Sequence, residues 1–253
     1  METVMKTVIL HYHLFKNAGT SLDAAFKQNF SEKNGEWVTK EFPAKPELNR
    51  IAVKDWIVNN PEAICFSSHT AILPPPTIDG LAIVPVIFMR HPIDRIASAY
   101  AFEKKQGGDS FGAVLARNTN LAGYMEARLS LGGDRQCRNF HAERFAAMLG
   151  EKRGDENFRA NMAMDELPFV GLVEEFSKSL KILEKVLLSN GLSDVNLTPM
   201  EKNVSRAVKQ SLEQKLQEIK DKIGGELYAN LVKANRLDIQ LYEKLVGTCY
   251  ERN

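Results

Sequence analysis

Residues 13–21 read His-Leu-Phe-Lys-Asn-Ala-Gly-Thr-Ser and follow the apolar run Thr7-Val8-Ile9-Leu10. A strand that enters a glycine-containing turn and then a helix aims main-chain N–H groups and a positive helix end at one point, which suits an anion. Gly19 lets the backbone approach a ligand, Asn17 and Ala18 complete the turn, Thr20 and Ser21 add hydroxyls, and Lys16 adds a full charge. A nucleoside-triphosphate loop places its lysine directly after the glycine and its hydroxyl on magnesium. Here the lysine stands three residues before Gly19, and no aspartate ends the apolar run Ala82–Met89, although Glu174 and Glu175 follow a later run. That order disfavours a metal–triphosphate machine, and no metal is expected.

A second constellation starts at Met89-Arg90-His91-Pro92 and continues through Asp94 and Arg95 to Ser98 and Tyr100. Arg90 stands at a strand end, Pro92 can open a helix, and Ser98 falls two helical turns on. A guanidinium fork with a hydroxyl is a sound grip for a phosphate monoester. Arg95 is better read as the partner of a carboxylate such as Asp94 on a solvated helix face. The third candidate is His69, in Ser67-Ser68-His69-Thr70. It ends an apolar run, where ligand-facing groups gather in open α/β sheets, and an imidazole titrates near neutrality, as a general base should. A lone histidine is also often structural. His11 and His13 read as packed on the first strand, His91 as outward-facing, and His141 as a candidate for acceptor binding.

These residues need elements to hold them. Val8–Leu14 suits a buried strand, and Ser21–Phe26 switches to helical spacing with Leu22, Ala25 and Phe26 on one face. Ala63–Phe66, Ala82–Met89 and Phe169–Val173 read as further strands, the second of them weakened by Pro85 and beginning properly after it. Strand, loop and helix in twenty residues is the unit of parallel α/β sheets. The expected fold is therefore α/β: a single P-loop-like domain over residues 1–253, with a central, mainly parallel sheet flanked by helices. Residues 107–165, rich in Gly, Asn and Arg, read as a helical and irregular region that binds the acceptor. Residues 199–253 read as C-terminal helices. They open on a cap box at Thr198-Pro199-Met200-Glu201 and carry the stripe Val208, Leu212, Leu216, Ile219 and Ile223.

Bulk properties exclude more than they assign. A net charge of +1 over 253 residues gives no basic field for nucleic acid or an anionic membrane. No apolar run is long enough to span a bilayer, and the N-terminus lacks a signal-peptide pattern. Cys65, Cys137 and Cys249 have no metal-ligand spacing and read as reduced, non-catalytic thiols. A soluble, cytoplasmic protein is expected, and its oligomeric state is unreadable.

Taken together, His13-x-x-Lys16-x-Ala18-Gly19-Thr20-Ser21 and Arg90-x-Pro92-x-x-Arg95-x-x-Ser98-x-Tyr100 resemble the two cofactor motifs of the sulfotransferases. The likeness is narrower to the carbohydrate and heparan-type branch, which uses 3′-phosphoadenosine 5′-phosphosulfate (PAPS). Phe169–Phe176, Asn203-Val204-Ser205 and Asp238–Tyr242 resemble later family segments, so the likeness reaches most of the chain. Phe15, Asn17 and His91 depart from the usual residues, and Asn17 puts one side-chain contact to phosphate in question. The resemblance implies that Lys16 to Ser21 hold the 5′-phosphosulfate, that Arg90 and Ser98 hold the 3′-phosphate, and that Ser205 lies in a loop near the nucleotide. It implies that His69 is the base and that Lys16 stabilises charge on the leaving oxygen. The reaction is then metal-free sulfuryl transfer from PAPS to a hydroxyl, on a carbohydrate or glycoconjugate acceptor. A P-loop kinase or nucleotide hydrolase, and a non-catalytic nucleotide-binding module, are the alternatives.

Overall fold

A computed structural model describes residues 5–199 and 210–250. The chain divides into two compact units, one of residues 1–89 and 144–203 and the other of residues 90–143 and 204–253.

The first unit holds a sheet of five parallel strands. They are β1 (Lys6–Tyr12), β2 (Trp37–Thr39), β3 (Cys65–Ser68), β4 (Leu81–Met89) and β5 (Val170–Leu172), in the order β2-β3-β1-β4-β5. The fold is thus α/β with an all-parallel sheet and flanking helices. Strand side chains alternate between faces, so Ile9, Cys65, Val84, Val86 and Phe88 share one face. On it lie Leu22, Ala25 and Phe26 of helix α1 (Gly19–Phe26) and Leu180, Leu183 and Leu187 of helix α8 (Phe176–Ser189). The expected face of α1 is the buried one. On Phe66, a residue of the alternate parity, helix α2 (Pro46–Val58) sets Trp56 edge-on at 4.9 Å between ring centroids.

Pro85 lies inside β4, not before it. Lys6 N–H donates to the Gly80 carbonyl and Val173 N–H to the Met89 carbonyl. Parallel strands alternate the direction of their hydrogen-bonding groups, so even-numbered residues of β4 face β1 and odd-numbered ones face β5. Pro85 is odd, and β5 pairs only from Ile87 onward. Its missing N–H therefore costs no ladder bond.

The second unit is helical. Helix α3 (Pro92–Lys105) has proline in its first turn, as expected, and is followed by α4 (Phe111–Asn118) and α5 (Leu121–Ser130). Helices α9 (Leu212–Ile223), α10 (Gly225–Ala234) and α11 (Arg236–Leu245) complete it. Ile93, Ile96, Tyr124, Met125, Ile219, Ile223 and Leu231 form its core. Ser211 and Gln214 make a reciprocal capping box at the start of α9. The expected cap at Thr198–Glu201 and the position Val208 run into residues outside the described ones. Residues 107–165 contain α4, α5, α6 (Phe140–Ala146) and α7 (Glu156–Glu166). No helix among the described residues is long and apolar enough to cross a membrane.

Candidate functional site

The connection from β1 runs through α1 to β2, beyond β3, whereas the connection from β3 leads to β4 on the other side of β1. Chain directions diverge between β1 and β3. That is the switch point where a crevice opens at the carboxyl ends of parallel strands. His13 follows β1 and His69 follows β3. His13 N–H donates to the Ser68 carbonyl at 2.8 Å, and the two imidazole rings stand 3.8 Å apart between centroids.

The loop after His13 is held tightly. Lys16 and Ala18 have left-handed backbones, φ 63° and 59°, which cost L-residues about 1–2 kcal/mol each. Asn17 is buried, and its amide donates to the Phe15 carbonyl at 3.0 Å, so it shapes the turn from within. A methyl group added at Gly19 would overlap the His13 ring. Glycine is therefore required by the close approach of that ring, as well as by any ligand.

A pocket of about 840 Å³ opens here, within the range of small-molecule sites. It is lined by His13 and His69, by Thr20, Ser21, Asp23 and Lys27 from the α1 segment, and by Trp37 and Thr39 of β2. Lys27 lies 3.8 Å above the Trp37 ring and pairs with Glu32 at 3.0 Å.

In and behind the pocket wall stands a cluster built on Asp23, a residue that the sequence left unassigned. His11 on β1 and His13 just after it, two residues apart, point to the face that α1 covers, and Asp23 on α1 meets both. Asp23 Oδ1 accepts from His11 Nδ1 at 2.8 Å and Oδ2 from His13 Nδ1 at 2.9 Å, while Ser67 Oγ lies 3.1 Å from His11 Nδ1. Burial alone would raise the Asp23 pKa, but the two imidazoles outweigh it and hold the carboxyl well below the usual range. These three residues are also the set, among the described residues, whose ligand atoms lie close enough to hold a metal ion, all within 4.8 Å of one another. The absence of a magnesium pattern could not reveal them. An H-x-H pair at the end of a strand with an aspartate on the following helix is the signal that could.

His69 is exposed at the rim. Loss of water on its packed side and the nearness of His13 lower its pKa, against the opposing effects of Glu41, the His13 main chain and Asp23. The ring is thus neutral at pH 7. A neutral imidazole carries its proton on one nitrogen and a lone pair on the other.

Of the expected site residues, His69, Thr20 and Ser21 come together in the pocket wall, and Lys16 to Gly19 form the adjoining turn. Lys27 is the lysine that lines the pocket, and neither it nor Trp37 was singled out in the sequence. Arg90 and Ser98 belong to the second unit. Arg90 Nε donates to Asp94 Oδ2 at 2.7 Å, and Ser98 is half-buried on α3. The carboxylate partner expected for Arg95 thus serves Arg90. Arg95 is itself buried, bonded to the Gln136 side chain at 3.0 Å and to its carbonyl, over the Phe140 ring. Ser205 lies outside the described residues.

His141 is fully buried and bonded through Nδ1 to Asp238 at 3.0 Å, so direct contact with an acceptor is closed to it. His91 is half-buried, packed edge-on to Tyr242 instead of facing outward, and burial lowers its pKa to about 4. Several arginines of 107–165 serve the fold. Arg128 joins Glu103 and Asp134 at 3.1 and 2.6 Å, and Arg138 donates to the Leu129 carbonyl. Burial pushes the Cys137 thiol up to about 12 and the Cys65 thiol well above its usual value, so neither is a nucleophile at neutral pH.

The chain matches no protein-family model. It is 40% identical over 249 residues to a protein of Archaeoglobus fulgidus described as an uncharacterized protein, covering 95% of this chain and 96% of that one. Likeness at that level, sustained from end to end, makes the two chains one family, and this protein belongs to it.

Proposed function

We propose that the protein is a sulfotransferase that moves a sulfuryl group from PAPS to a hydroxyl, on a carbohydrate or glycoconjugate acceptor. The observation that carries the reading is the meeting of the glycine loop after β1 with a neutral histidine after β3, over one pocket. The pocket residues suit the 5′ end of such a donor. Two hydroxyls stand at the amino end of α1, where helix and loop N–H groups favour an anion. The sequence motif alone assigns Arg90 and Ser98 to the 3′-phosphate.

In this reading the acceptor oxygen bonds to sulfur as the donor's sulfur–oxygen bridge breaks. The bond pair leaves on the nucleotide phosphate, and the acceptor proton passes to the bare ring nitrogen of His69. Lys16 and the loop amides offset the charge that grows on the leaving oxygen, a kind of contribution worth roughly 2.7–4 kcal/mol per donor. Asn17 acts by holding the turn.

Calorimetric titration with the desulfated nucleotide, 3′-phosphoadenosine 5′-phosphate, tests the donor. Tight, magnesium-independent binding that Arg90→Ala weakens is expected. Preference for ATP with magnesium would point to a kinase or hydrolase instead. Tight binding without transfer to any acceptor would point to a sensing module.

A further inference from the structure

Asp23 has no role in the chemistry described so far, yet both of its oxygens are taken by imidazoles. An ionised carboxylate can only accept hydrogen bonds, so Nδ1 carries the proton in both rings. His11 is buried and held on its strand, and it fixes one oxygen. The other oxygen fixes the His13 ring in rotation and tautomer. That ring fills the space at Gly19 and packs against the His69 ring. The line of contact therefore runs from Asp23 through His13 to the His69 ring in the pocket wall.

We propose that Asp23 is a positioning residue for the transfer reaction: it holds the His13 imidazole through Nδ1–H and so sets the direction of the His69 lone pair that takes the acceptor proton. The assignment rests on the sulfotransferase reading above. A carboxylate that orients a histidine through its second nitrogen is a recurrent device where ring direction decides function. The same three residues also form a possible metal set, but separations of 2.8 and 2.9 Å are those of N–H···O bonds. A metal would require both Nδ1 protons to leave.

The test compares wild type with Asp23→Asn and Asp23→Glu in the full chain. Asp23→Asn is expected to lose roughly 10- to 100-fold in kcat, as orienting partners of functional histidines do, with donor KM nearly unchanged. Asp23→Glu should recover part of it. Long-range imidazole ¹H–¹⁵N spectra should show His13 as the Nδ1–H tautomer in wild type and changed in Asp23→Asn. The groups facing His69 are His13 after β1, Asp23 on α1 and Glu41 after β2. Removing the Asp23 charge should therefore move the acidic limb of the pH–rate profile to lower pH.

Wild-type turnover in Asp23→Asn, a loss confined to donor KM, or an unchanged His13 spectrum would each overturn the assignment. So would stoichiometric Co²⁺ or Zn²⁺ binding by wild type that Asp23→Asn abolishes, because the cluster would then be a metal centre. If wild type transfers no sulfuryl group, the reaction assigned here fails and the positioning role with it. The spectra still decide whether Asp23 sets the His13 tautomer.

Discussion

Among the described residues two aspartates, Asp23 and Asp238, hold imidazoles at nearly the same distance but in different surroundings. In the helical unit, His141 and Asp238 are both fully buried, and Asp238 also accepts N–H groups from the main chain of His141 and Ala142. Its acceptors are spent on the start of a helix and on an inner side chain. In the sheet unit, Asp23 is partly exposed, binds two side chains, and lines a pocket beside a histidine with a bare nitrogen. A buried carboxylate tied to main chain belongs to the fold. One that turns imidazoles at a pocket wall is, as proposed for Asp23, placed to serve chemistry.

The largest expected effect falls on His69. His69→Ala should lower kcat by roughly 10²–10⁴-fold, the usual worth of a general base, with donor affinity unchanged. Loss of nucleotide binding would count against the base role. The matching change on the other side, Asp238→Ala, removes one partner of a buried pair and should cost about 3–5 kcal/mol of stability. In a melting curve that is a fall of roughly 10 °C. A variant that melts like wild type would erase the distinction drawn between the two contacts.

Gly19→Ala should come next, at about 1–3 kcal/mol for overpacking against the His13 ring. Its kcat should fall more than its donor affinity, because the displaced ring is the one His69 rests on. A change in affinity alone would place Gly19 with the ligand and not with the ring.

The smallest effects are in pH. His69 has a folded pKa below its ordinary 6.5, so its base form persists under that value, and the acidic limb of the rate profile should lie below 6.5. Asp238 has a depressed pKa despite burial, which alone would raise it, because His141 and two main-chain N–H groups favour the charged form. Its contribution to stability is present above the ordinary carboxylate pKa and is lost as pH falls through the depressed one. Acid melts of wild type and Asp238→Asn should converge in that acidic window. Curves that stay parallel would remove Asp238 from the acid response.

Much of the sheet could be read from residue order. Apolar runs near β1, β3, β4 and β5 stand out because strands covered on both faces need continuous hydrophobic sequence. The strand β2 is only Trp37–Thr39, too short for any alternation to register. Helix α2 went unread although Pro46 opens it, because Leu48, Ile51 and Val58 on its outer side are exposed and blur the apolar stripe. At the site, the loop and His69 were legible because their residue types carry chemistry. Asp23 and Lys27 were not, since a charged residue on a short helix normally means solvent. Only the register of α1 over β1 turns Asp23 inward. The partners of Arg90 and Arg95 were misread: i to i+4 spacing gives Asp94 to Arg90 on α3, and Arg95 turns into the interior and not onto a solvated face.

The most direct test of the central claim is transfer itself. Radiolabelled PAPS is incubated with wild type and with His69→Ala against a panel of hydroxyl acceptors, sugars first, without added metal. Label is expected on an acceptor with wild type and almost none with the variant, while both bind the nucleotide equally. Equal labelling by the two proteins would contradict it.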